Sequence, residues 1–167
     1  VDPTEVATRL APTPTGSFPL VSNRDTEIAV VSVRSQAPRI AEQIARKIAD
    51  DLALRVHLAL DALRRGAGGT SDAQTLTQVM LLTGFLAESG FGSMNSAQLG
   101  AAERAVSAVF DIGRETGEWK LDSTGFALFS EIATNYDRQL HSAPLWAITD
   151  ASERLDRFTA GVSYQAP

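Results

Sequence analysis

The chain of 167 residues contains no cysteine at all. That absence excludes disulfides, thiolate metal sites and thiol nucleophiles, and it fits a reducing compartment. Histidine is nearly absent too, with only His57 and His141, so the imidazole and thiolate ligands of a zinc site are missing. Aromatic residues make up 7% of the chain and the longest apolar runs, such as Val79-Met80-Leu81-Leu82, fall far short of the ~20 residues that span a bilayer. No basic stretch followed by an apolar run opens the chain, so no secretory signal is expected and a cytoplasmic location is. The first residue is Val1 and not methionine, which leaves room for an upstream segment.

What is present suits a globular domain. Hydrophobic residues are 44% and charged residues 21%, enough apolar material to bury a core, and the length matches one domain. The net charge of −5 is uneven: residues 1–70 carry nine Lys/Arg and eight Asp/Glu, residues 71–167 six and twelve. Phosphate-backbone binding needs clustered cations, which the acidic half cannot supply, so nucleic acid is not an expected partner there.

Four of the seven prolines lie in the first 19 residues, and proline fixes φ and donates no backbone hydrogen bond. Residues 1–35 are therefore expected to form an extended arm. Within it, Glu27-Ile28-Ala29-Val30-Val31-Ser32-Val33-Arg34 is β-branched and apolar and predicts one strand over 27–34. A lone strand must pair with a second copy or with the arm, or lie over other chain.

From Pro38 to Arg65 the pattern turns helical, with Ile40, Ile44, Ile48, Leu52, Val56, Leu60 and Leu63 on one ridge and Ala41, Ala45 and Ala49 beside it. Gly66-Ala67-Gly68-Gly69 stops that helix. Ser71 with Gln74 predicts the start of a second, ending near Glu88, with Leu76, Val79, Met80, Thr83 and Leu86 inward. Asn95 with Gln98 opens a third, carrying Leu99, Ala102, Val106, Val109 and Gly113 inward and ending at Gly117. Asp122 or Ser123 caps a fourth, with Phe126, Phe129, Ile132, Ala133 and Tyr136 inward. Ser142 and Pro144 start a fifth, with Leu145, Ile148, Leu155 and Phe158 inward, closed near Gly161. The expected fold is all-α: a bundle of about five helices over 36–161, an N-terminal arm with one short strand, and a tail over 162–167.

The sequences Leu63-Arg64-Arg65-Gly66-Ala67-Gly68-Gly69-Thr70-Ser71-Asp72, Arg114-Glu115-Thr116-Gly117-Glu118-Trp119-Lys120-Leu121-Asp122 and Asp137-Arg138-Gln139-Leu140-His141-Ser142-Ala143-Pro144 together resemble a group of small helical proteins of proteobacterial plasmids and integrated elements, over about residues 58–157. The resemblance implies a bundle and a mobile-element setting, and carries over no functional residue, because its motifs are turns and helix ends.

Tested for chemistry, the chain offers little. The glycine-rich loop 66–69 precedes a helix N-terminus but lacks a P-loop lysine and follows a helix, so it reads as a turn. No Gly-x-Ser-x-Gly elbow occurs. His57 reads as a packing or surface residue, and His141 as a cation suited to a helix C-terminus. No catalytic, cofactor-binding or metal-ligating residue is nominated. Trp119 and Trp146 read as caps on the bundle's end or, alternatively, as anchors for a partner. The strand and the long helical ridge both ask for cover, which makes Val31, Ile40, Ile44, Ile48, Trp119 and Trp146 the candidate interface. The leading expectation is a non-enzymatic accessory or regulatory protein acting by protein–protein contact, as a homodimer. A DNA-associated transcriptional regulator using the basic residues of the long helix is the runner-up, and a small enzyme with a bundle-core pocket is third.

Overall fold

The structure, a computed structural model, describes the backbone of residues 23–161 and the side chains of 42, 43 and 45–161. It is an all-α bundle of five helices: α1 (Asn23–Arg65), α2 (Thr70–Glu88), α3 (Ser96–Thr116), α4 (Ser123–Ser142) and α5 (Leu145–Thr159). The chain divides into two compact units, Val1–Ile40 and Ala41–Pro167. In the first, residues 23–40 are helical. The second holds the core of the bundle.

The strand expected over 27–34 is not there; those residues belong to α1, and no strand occurs among the described residues. Propensity for β structure is a preference for a half-buried pleated surface, and it yields where no neighbouring strand exists to pair with. A helix satisfies its backbone groups internally. The expected arm of 1–35 is thus replaced by helix from Asn23 onward; its first 22 residues and the tail 162–167 lie outside the described residues.

The α1 ridge enters the core at its C-terminal half: Val56, Leu60 and Leu63 are buried, together with Ala49, Ala53 and Ala59. Ala49, Ala53, Val56, Leu60 and Leu63 meet Leu76, Val79 and Met80 of α2, Ala102, Val106 and Val109 of α3, and Phe129, Ile132 and Tyr136 of α4 in one cluster. Phe129 is 1% exposed, and truncating a buried ring of that size costs about 3–5 kcal/mol. Leu121, in the turn before α4, is tied in by its N–H donating to the Leu63 carbonyl at 3.1 Å.

Helix ends follow local chemistry. α3 opens with a reciprocal box, Gln98 N–H to Asn95 Oδ1 at 2.8 Å and Asn95 N–H to Gln98 Oε1 at 3.1 Å. Asp122 Oδ1 accepts from the Gly125 N–H at 2.6 Å to start α4. The α2 start differs from expectation: Gly69 is the N-cap, and its N–H donates to Asp72 Oδ2 at 2.8 Å, so the Ser71–Gln74 pair plays no capping part.

α5 also differs. Its buried residues are Ala147 and Ala151, which pack on Leu86 of α2, with Ile148 partly covered. Leu145 and Phe158, expected inward, are 77% and 62% exposed. Two alanines let α5 lie close on α2, and that close seam turns Leu145 and Phe158 away. Arg154 completes the seam, its guanidinium 2.5 Å from Glu88 Oε2 and 4.2 Å from the Phe85 ring centroid.

Candidate interaction surface

Where the α1 ridge runs N-terminal of Val56, its cover thins. Ala45, Ile48, Ala49 and Leu52 of α1 face Leu140 at the end of α4 and Ile148 of α5 across a groove of about 580 Å³. The floor is small and apolar; Ile48 (54% exposed) and Leu145 rise at its edges. Apolar side chains exposed together, rimmed by polar groups, mark an interaction site more often than a lone exposed leucine does. The rim is charged with both signs. Arg46 bonds Glu42 at 2.7 Å on one side. On the other, His141 Nε2 lies 3.0 Å from Asp50 Oδ1, and its Nδ1 lies 2.8 Å from the Asp137 carbonyl oxygen. The carbonyl contact first, and the Asp50 carboxylate next, hold the imidazole above its ordinary value of 6.5.

Of the six candidate interface residues, the structure brings Ile48 to this groove. The side chains of Val31, Ile40 and Ile44 lie outside the described residues. The two tryptophans part company. Trp119 is half-buried, edge-on to Phe110 at 5.8 Å between centroids, and packed so tightly on Gly113 that a Cβ there would sit 2.5 Å from the indole. Trp146 is 63% exposed, in the first turn of α5 beside Leu145, and meets Phe91 edge-on at 5.8 Å.

Sequence reasoning missed a polar clamp. Gln139 is 1% exposed, and its Nε2 donates to the Thr83 carbonyl at 3.1 Å and the Phe91 carbonyl at 2.7 Å; one turn earlier, Asn135 Nδ2 donates to the Ser93 carbonyl at 2.9 Å. The two amides pin the α2–α3 loop onto α4. The signal was available: Asn135 and Gln139 are i,i+4 and flank the inward stripe of Ile132, Ala133 and Tyr136.

Other places offer less. The glycine loop has its groups engaged: the Ala67 N–H donates to the Ala62 carbonyl at 3.0 Å, and Asp72 holds the Gly69 N–H where an anion would bind. His57 is exposed on α1. The basic residues of α1 are partly compensated, Arg46 by Glu42 and both Arg64 and Arg65 by Asp61. Hydrogen bonding from Arg64, foremost, holds the Asp61 carboxyl below its usual range. Among the described residues no group of three or more His, Asp or Glu side chains is placed to hold a metal ion, and no helix is long and apolar enough to cross a membrane. Comparison with protein-family models, with curated proteins and with solved structures returns no match.

Proposed function

We propose that this chain is a non-enzymatic accessory or regulatory protein that works by protein–protein contact, and that it forms a homodimer across the groove between α1, α4 and α5. The groove is the observation that carries the reading: a small-residue floor with Ile48 and Leu145 standing exposed at its edges. Covering a side chain of that size contributes roughly 1.5–3 kcal/mol, and a two-fold interface counts each residue twice. A second copy suits the groove because its rim carries paired opposite charges, Glu42 with Arg46 and Asp50 with His141, and such a rim can face itself without like charges meeting. Projecting Ile48 and Leu145 beside Ala45, Ala49 and Ala143 likewise offer knobs and hollows on one surface. The mobile-element setting implied by the resemblance fits an accessory role.

Light scattering on the full chain at micromolar concentration tests this. A mass near twice 17.8 kDa is expected, and a mass near 17.8 kDa overturns the dimer. Ile48→Asp should yield monomer with an unchanged helical circular-dichroism signal, because Ile48 lies outside the buried cluster. A dimer that survives this change has its interface elsewhere.

A further inference from the structure

His141 has an acceptor at each ring nitrogen. Nδ1 lies 2.8 Å from the Asp137 carbonyl oxygen and 3.2 Å from the Asp137 carboxylate, while Nε2 lies 3.0 Å from Asp50 Oδ1 on another helix. A neutral imidazole carries a single N–H and can serve one of these sides; the imidazolium donates to both. We infer that His141 is a proton-operated latch between α1 and α4, closed when the ring is protonated, and that it makes self-association through the neighbouring groove depend on pH. The second half of this rests on the reading of the groove as the subunit interface.

The Asp137 carbonyl, foremost, and the carboxylates of Asp50 and Asp137 favour the charged ring, against a smaller cost of burial. α4 supplies Asp137 and the negative end of its own dipole, since His141 lies in its last turn. α1 supplies Asp50; farther along the same groove its Arg46 is engaged by Glu42. The turn after α4 and the start of α5 bring only Ala143, Leu145 and Ile148, which carry no charge. These contacts raise the folded-state value above 6.5, so the stability the latch contributes is fully present below about 6.5 and is lost as pH rises through the higher folded value, where the latch opens. Opening frees the Asp50 side of α1 from α4. It also leaves Asp50 and Asp137 uncompensated beside the groove, where two copies would bring four carboxylates together. Closure therefore both shapes the groove in advance and removes repulsion across it.

Two measurements on the full chain test this between about pH 5 and 8. The first follows the His141 imidazole by nuclear magnetic resonance in the wild type and in Asp50→Asn, which keeps an oxygen facing Nε2 but loses the charge. The midpoint should lie above 6.5 in the wild type and drop in the variant; a midpoint unmoved by the change overturns the latch. The second follows the dimer dissociation constant by light scattering. It should rise with pH by roughly two- to fivefold, the scale of a half-exposed ion pair, and stay flat in His141→Gln. The same rise in both proteins overturns the link between His141 and association. A wild type that is monomeric throughout removes the groove as an interface, and pH-dependent association with it, whereas the α1–α4 latch stands or falls on the titration alone.

Discussion

Gln139 and Thr83 show how differently two buried polar side chains can bear on stability. Gln139 donates twice, to the carbonyls of Thr83 and Phe91, while its Oε1 and the Thr83 hydroxyl have no hydrogen-bond partner among the described residues. Removing the amide leaves the part-buried Phe91 carbonyl without its donor and empties a buried polar position, which together cost about 1–3 kcal/mol. Gln139→Leu should lose that much in a urea titration. Thr83→Val should cost nothing or stabilise by up to about 1 kcal/mol, because it replaces an unpartnered hydroxyl with a methyl of the same shape. A loss above that size would mean the hydroxyl is bonded. Glycine at 113 is fixed by the indole of Trp119, since a Cβ would meet its ring at 2.5–2.7 Å. Gly113→Ala should therefore destabilise by about 1–3 kcal/mol through overpacking, where an ordinary helical glycine-to-alanine change stabilises.

Among the elements, α3 and α4 were the most legible, because each has a polar cap at one end and large apolar residues at helical spacing. Asn95 and Asp122 cap as their side chains suggest. α2 was read correctly in extent and incorrectly in cap, since glycine at 69 has no side chain to announce itself and Asp72 reaches back from the first turn. The two readings separate cleanly: Asp72→Ala should cost about 0.5–2 kcal/mol and Ser71→Ala no more than about 0.5 in the same denaturant experiment. For α5, counting the largest apolar residues placed Ile148 correctly against the core but misplaced Leu145 and Phe158. Helix packing rewards close approach as much as side-chain size, and Ala147 and Ala151 achieve it against Leu86. The stretch 27–34 misled for a related reason, since its valines and isoleucine state a local preference and only a partner strand could act on it. Of the candidate surface, Ile48 could be found from the ridge, whereas the groove depends on where α4 ends and α5 begins, which no single stretch of sequence encodes.

For the molecule as a whole, Ala41–Pro167 forms one compact unit, and its core clusters draw on all five helices. A chain beginning at Ala41 should therefore keep one cooperative thermal transition, and loss of cooperativity on scanning calorimetry would assign a structural part to what precedes it.

The contrast between the two indoles turns the protein into its own pair of optical probes. Trp119 is clasped by Phe110 and Gly113 inside the fold, and Trp146 stands 63% exposed at the head of α5 near the groove. A sheltered indole fluoresces at shorter wavelength and resists quenching by iodide, and a wet one does neither. Emission from Trp146→Phe therefore reports the integrity of the bundle, and emission from Trp119→Phe reports what arrives at the surface. Unfolding and association, which most assays confound, are separable in this chain by colour.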